Sequence, residues 1–189
     1  MRIENLWVAF DCETTGFPPT GRLIEISAIL FTNRGRVLDE FHSLVAPPVG
    51  VPAFITEITG ISSDMLVGAE PASVVLRRFV SWLNPTALLI AHNATFDIRI
   101  LAGELPTIVG EVSNSVVDSL PIARTLGIFQ NNRLETIGNC LCPELSGYHR
   151  SAVDSQIVKH LLLHALECQI DVVHPNLFRG KSLPAILNW

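Results

Sequence analysis

The sequence predicts an α/β fold: a mixed central sheet with an antiparallel three-strand meander and flanking helices. Three observations point there. Three apolar runs follow one another within the first 45 residues, with turn chemistry between the second and third. From residue 71 onward, helical periodicity alternates with short apolar strands. The longest amphipathic stretch, Ser151 to Leu166, comes last. Consecutive strands followed by an alternation of helices and strands imply a mixed sheet with helices packed on it.

Taken in order, Leu6 to Asp11 reads as the first strand, Leu23 to Phe31 as the second and Val37 to Val45 as the third. Asn33-Arg34-Gly35-Arg36 separates the last two and predicts a hairpin. Ala46 to Pro52, with three prolines and a glycine, must be loop. Pro71 to Leu83 is helical, with Pro71 near its start and Val75, Phe79 and Trp82 on one face. Ala87 to Ala91 is a short buried strand, and Thr95 to Leu105 a helix. Ser115 to Val117 is a further short strand leading into a helix through Leu126, and Arg133 to Leu141 a short helix. In the last helix Val153, Ile157 and Leu161 with Val158, Leu162 and Ala165 form the apolar stripe. After about Cys168 the periodicity fades. Residues 1–168 are expected to form one domain, with 169–189 an irregular tail packed on it.

Bulk properties narrow the function classes. Of 189 residues, 48% are hydrophobic and 16% charged, enough for a sizeable core and unlike a disordered chain. Mean hydropathy is +0.38, yet the densest apolar stretches, Thr86 to Ala91 and Leu161 to Leu166, are too short to span a bilayer. The first five residues lack the apolar block of a secretion signal, so a cytoplasmic location with no membrane association is expected. Cys12, Cys140, Cys142 and Cys168 include no CxxC pair and read as reduced thiols. A formal charge of −5 and a pI near 5.6 are not the basic footprint of a tight non-specific nucleic-acid binder. They leave room for an enzyme that touches only a strand end and neutralises its own acids with metal.

Four acids fall at element junctions. Asp11 and Glu13 follow the first strand in "DCETTG"; Asp97 lies just inside a helix in "HNATFD"; Asp154 sits in the first turn of the last long helix, five residues after His149. Each has an ordinary alternative. Asp97 suits the positive end of its helix with Asn93 as cap. Asp154 makes a capping-box pattern with Ser151. Asp11 can end a strand, and Glu13 can be solvated. Asp118, in "SVVDSLPIA", fits a plain N-cap. His42, His92, His160, His164 and His174 read as structural; Phe17 as either stacking or packing; Arg150 as either a phosphate contact or a solvated side chain.

The three patterns in this order, with Arg133-Leu134-Glu135-Thr136 opening a helix between the last two, resemble the DEDDh exonucleases. These form the DnaQ-like family that includes the proofreading epsilon subunit of bacterial DNA polymerase III. The resemblance runs from about Leu6 to about Leu166. Thr59-Gly60-Ile61 occupies a Gly-Ile step that the family carries in the loop before its first helix, with Thr59 where many members have His. The resemblance implies a ribonuclease H-like fold. It implies that Asp11, Glu13 and Asp154 hold two Mg²⁺ or Mn²⁺ ions, with Asp97 completing the acidic set through water, and that His149 is the general base. Thr14 and Thr15 would lie beside the terminal nucleotide.

Phosphodiester hydrolysis needs a nucleophile, charge relief at phosphorus and a stabilised leaving oxygen, which two hard cations about 3.5–4 Å apart supply together. Such ions take carboxylate oxygens rather than thiols. Glu13, two residues from Asp11, faces the same way if the strand continues. On one continuous helix, residues 149 and 154 would point about 140° apart. His149 is therefore expected on the loop before the helix, where Gly147 fits. A histidine suits base chemistry because an imidazole titrates near neutral pH.

The expected activity is 3′–5′ hydrolysis of single-stranded nucleic acid to nucleoside 5′-monophosphates. DNA is favoured over RNA because Thr14-Thr15 and the HNATFD form resemble the proofreading branch. A proofreading role would need a polymerase in trans. The alternatives are an exoribonuclease acting on RNA ends or short oligoribonucleotides, and a non-catalytic interaction module.

Overall fold

The computed structural model describes residues 5–105 and 112–173. β1 (Leu6–Thr14), β2 (Leu23–Thr32) and β3 (Val37–Ala46) form the expected antiparallel meander. Three further strands complete a six-stranded sheet: β4 (Glu70–Pro71), β5 (Leu88–Ala91) and β6 (Val116–Asp118). The order is β4-β3-β2-β1-β5-β6, with β5 parallel to β1, β6 parallel to β5 and β4 parallel to β3. The helices are α1 (Ala53–Thr59), α2 (Ala72–Trp82), α3 (Thr95–Glu104), α4 (Ser119–Leu126), α5 (Leu134–Leu141) and α6 (Ser151–Glu167).

β1 is the central strand, and its sequence shows it. Trp7 to Phe10 are all buried, because both faces of the sheet are covered and a doubly covered strand is apolar throughout. Val8, Phe10 and Cys12 point into a core shared with α2 and α3, while Trp7 and Ala9 point into a second core under α4 and α6. α6 is buried at Ile157, Val158, Leu161, Leu162 and Ala165, on more than one stripe, because it packs on the sheet and on α5 at once.

Two expectations need correction. β1 does not stop at Asp11: pairing with β2 continues through Cys12↔Ile26 and Glu13↔Glu25, so both acids lie inside the strand. Residues 53–71, to which the sequence assigned no element before Pro71, hold α1, a 3₁₀ turn at Ser63–Leu66 and the two-residue β4. Thr59-Gly60-Ile61 therefore ends a short helix rather than preceding the first one. Gly60 caps α1 in the left-handed region (φ 72°), and the buried Thr59 hydroxyl donates to Ile55 O and accepts from Ile61 N.

After α6, Ile170 and Val172 pack against the second core. The rest of the tail, including His174, lies outside the described residues. Among the described residues no helix is long and apolar enough to cross a membrane.

Candidate active-site cleft and acidic cluster

Strand alternation puts Asp11 and Glu13 on one face of β1 and Cys12 on the other. α6 crosses the face that carries the acids, and its first turn delivers Asp154. Carboxylate oxygens of Asp11, Glu13 and Asp154 lie within 4.8 Å of one another. Asp97 comes from the opposite side, in the first turn of α3, and is buried; the Cys12 thiol and backbone hydrogen-bond to its carboxylate. It stands outside the three-acid group but borders the same cleft.

His149 sits on the loop before α6, as the five-residue spacing requires. Its backbone is left-handed (φ 63°), two residues after the left-handed Gly147 (φ 85°), and it hydrogen-bonds back to the Asp154 carboxylate. Asp11, Glu13, Asp97, His149 and Asp154 all line one open cleft of about 460 Å³. Phe96, Arg133 and Tyr148 supply further wall; Arg133 opens the Arg133-Leu134-Glu135-Thr136 pattern, whereas Tyr148 has no motif to mark it in sequence.

The acids are electrostatically unsatisfied. Burial, then the charges of Asp97, Asp154, Glu13 and Glu25, push the Asp11 carboxyl well above its ordinary value. Burial and the Asp154 charge push Glu13 up to about 8. Burial pushes Asp97 to about 8, against hydrogen bonds that favour its charged form, and Asp154 to about 7. One buried oxygen, Asp154 Oδ1, has no hydrogen-bond partner. An all-carboxylate donor set with an orphaned buried oxygen and suppressed ionisation fits a hard divalent cation, whose charge reverses every one of these penalties.

The predicted substrate residues are placed differently. Thr14 and Thr15 are buried and do not line the cleft. Thr14 Oγ1 donates to Gly16 O at 2.7 Å, and Thr15 Oγ1 accepts from Arg22 N at 2.9 Å. They brace the 15–22 turn. That turn holds Phe17 outward, 80% exposed, with its ring edge-on to Phe96 at 6.0 Å.

Several ordinary readings are also resolved. Asp118 is the N-cap of α4, accepting from Leu120 N, and it accepts from Asn93 N as well. Asn93 does not cap α3, which begins after Ala94 without a side-chain cap. Ser151 forms no capping box, because its hydroxyl donates to Ser27 Oγ. His92 is a strut, with Nδ1 on Ser119 Oγ and Nε2 on Asn132 O. Arg150 is not a solvated side chain: its guanidinium grips Glu25, which is fully buried in β2. Burial raises the Glu25 carboxyl, but hydrogen bonds from Arg150, His42 and the Ser151 amide outweigh it and leave the group below its ordinary value. The sequence signal was available, since Glu25 is the one charge in a largely apolar strand.

Known proteins are similar to this chain in sequence and in fold. A DNA polymerase III PolC-type from Halalkalibacterium halodurans is 35% identical over 163 residues, 85% of this chain but 11% of the relative, so the chain spans about a tenth of that protein's length. Exonuclease X in complex with 5′ overhanging duplex DNA superposes with TM-score 0.68 at 19% identity, covering 95% of this chain and 98% of the other. A zinc-bound E. coli exonuclease I–ssDNA complex gives 0.76 at 17% identity over 93% of this chain and 42% of the other. These two likenesses establish the ribonuclease H-like fold. The sequence profile of the exonuclease family matches residues 8–162, from the middle of β1 into α6. The chain belongs to that exonuclease family.

Proposed function

We propose that this chain is a metal-dependent 3′–5′ exonuclease that shortens single-stranded DNA to nucleoside 5′-monophosphates. The observation that carries the reading is the trio Asp11, Glu13 and Asp154, with oxygens within 4.8 Å and one of them buried without a partner. These three side chains would hold two Mg²⁺ or Mn²⁺ ions, with Asp97 completing the set through water. When bound, such cations relieve charge at the phosphoryl group and the leaving oxygen and make water a better nucleophile.

The chain's own groups do the rest. His149, on the cleft wall, accepts the proton that the attacking water gives up. Its hold on Asp154 keeps base and acid in one frame. Thr14 and Thr15 serve the terminal nucleotide through the turn they close, not through free hydroxyls. The acidic cluster, once neutralised by cations, no longer repels a phosphodiester, which reconciles a net charge of −5 with a polyanionic substrate.

DNA is favoured because the relative of highest quoted identity is a DNA polymerase and both superposed structures are described with DNA. A proofreading role alongside a DNA polymerase follows the same comparison.

The test is digestion of 5′-labelled single-stranded DNA and a matched RNA with Mg²⁺, Mn²⁺ or chelator. Wild type should give a metal-dependent ladder shortening from the 3′ end, faster on DNA. Asp11→Ala should lose more than the roughly 100-fold that disturbing an outer-shell group costs. Equal shortening by folded wild type and Asp11→Ala, or in chelator, would overturn the reading.

A further inference from the structure

Glu25 has no exposed surface and lies on β2 directly opposite Glu13 in the register. Its carboxylate collects an unusual number of partners. Arg150 Nε donates at 3.2 Å to each oxygen, Arg150 Nη2 donates to Oε1 at 2.6 Å, and the Ser151 amide donates to Oε2 at 2.9 Å. His42 Nε2 lies 3.0 Å from Oε1. One buried anion thus holds two consecutive residues at the head of α6. A second tie lies one rung further along the same face of β2, where Ser27 Oγ accepts from Ser151 Oγ at 2.8 Å.

What these ties fix is the junction that carries the site. His149 precedes Arg150 and holds a left-handed backbone that non-glycine residues adopt only when the surroundings impose it. Asp154 follows Ser151 by one turn of α6. β2 is the immediate neighbour of β1, so anchoring α6 to β2 sets its distance from Asp11 and Glu13 directly. Arg150 also brings a positive charge that Glu13 feels.

We propose that Glu25 is a positioning residue: through Arg150 and the Ser151 amide it fixes the head of α6, and so sets His149 and Asp154 against Asp11 and Glu13. This rests on the exonuclease reading above, in which His149 is the base. A planar two-pronged guanidinium contact suits the task, because it defines orientation as well as distance.

The experiment compares wild type, Glu25→Gln, Arg150→Lys and the double variant, with Glu70→Gln as control. Glu70 pairs with Arg78 on the exposed far edge. Steady-state rates on the labelled oligonucleotide with Mn²⁺, melting temperature, and the ¹H–¹⁵N resonances of the His149 ring in the metal-free protein are measured for each. Glu25→Gln should lower kcat by about 10–100-fold, the range typical of outer-shell partners, and displace the His149 ring signals. KM should move by no more than about threefold, because an interaction used in the transition state is lost rather than one in binding. The double variant should be no worse than the worse single one, since both residues serve one contact. Glu70→Gln should match wild type. Arg150→Lys keeps the charge, loses the fork and carries the test if Glu25→Gln fails to fold. Unchanged kcat and ring signals in a folded variant, or a rate loss that only tracks the unfolded fraction, would overturn the proposal. If wild type itself does not cleave, the exonuclease reading fails, and the ring signals alone still decide whether Glu25 sets the His149 loop.

Discussion

The residues of the acidic cluster work against folding in order to work for metal. Asp154 is buried, its carboxyl is raised to about 7, and one oxygen has no partner. Asp154→Asn removes the repelled charge and keeps an oxygen for the His149 backbone. It should raise the metal-free melting temperature by about 2–4 °C, the shift that about 1 kcal/mol brings in a chain of this size. The same change should abolish the metal-induced rise and the cleavage together; a lowered metal-free melting temperature would contradict the account. His149→Ala tests the other role. It should cost about 10²–10⁴ in kcat, the usual worth of a positioned base. Mn²⁺ binding measured by calorimetry should persist, because the carboxylates remain. At this scale the sequence told much. Acids in or beside apolar runs stand out, but each had an ordinary reading; it was the family resemblance of the three patterns together that named the five residues, and these line one cleft. It did not tell what Thr14 and Thr15 do, because their hydroxyls are used by a turn whose closure onto Arg22 no local pattern announces. Nor did it pair Arg150 with Glu25, which lie 125 positions apart and meet only through the packing of α6 on β2.

Elements were legible in proportion to how much of their stability is their own pattern. β2, β3 and α6 carry apolar runs or stripes and stand where periodicity puts them, while β1 starts where expected and runs on from Asp11 to Thr14. α1 has seven residues, two of them buried, and β4 has two residues paired only at a sheet edge, so neither leaves a periodic trace. The packing of α5 on α6 was equally hidden, and it matters because the chain between them carries Tyr148 and His149. Gly138 lets the two helices meet: a Cβ there would stand 2.8 Å from Ile157 Cδ1 and 2.9 Å from Tyr148 Cε1. The isoleucine tip can rotate away. The tyrosine ring has less freedom, since its hydroxyl donates to Asn139 Oδ1 at 2.9 Å. Gly138→Ala would ordinarily stabilise a helix interior by about 0.8–1 kcal/mol. Overpacking of about 1–3 kcal/mol should outweigh that. The variant is expected to unfold at lower urea concentration and to lose kcat beyond what its stability explains, because Tyr148 adjoins the base. A midpoint equal to or above wild type would show that the helices separate without cost.

For the whole molecule, the cluster predicts an unusual coupling of stability to pH. Folding raises the carboxyls of Asp11, Glu13, Asp97 and Asp154, the last three to between about 7 and about 8. Between their ordinary values near 4 and these raised ones, the folded chain binds more protons than the unfolded chain, so stability falls as pH rises. The contribution is complete below about pH 4 and lost as pH climbs through 7 to 8. Three groups oppose it. Glu25 is held below its ordinary value by its partners, despite burial, and so favours folding above the usual carboxylate range. Burial holds His92 and His160 toward the neutral form, a preference lost as pH falls below their ordinary value. Four raised acids outnumber these three, so in chelator the melting temperature should decline from pH 5.5 to pH 8.5. Metal inverts the trend, because a cation binds the ionised cluster and competes with protons for it. A cation binding only the folded chain at 100 times its dissociation constant adds about 2.7 kcal/mol. With saturating Mn²⁺ the decline should therefore flatten or reverse, and the gap between the two curves should widen with pH. Asp11→Asn should close most of that gap. Curves that run parallel with and without Mn²⁺ would mean that the acids are not the metal site, whatever the activity assay shows.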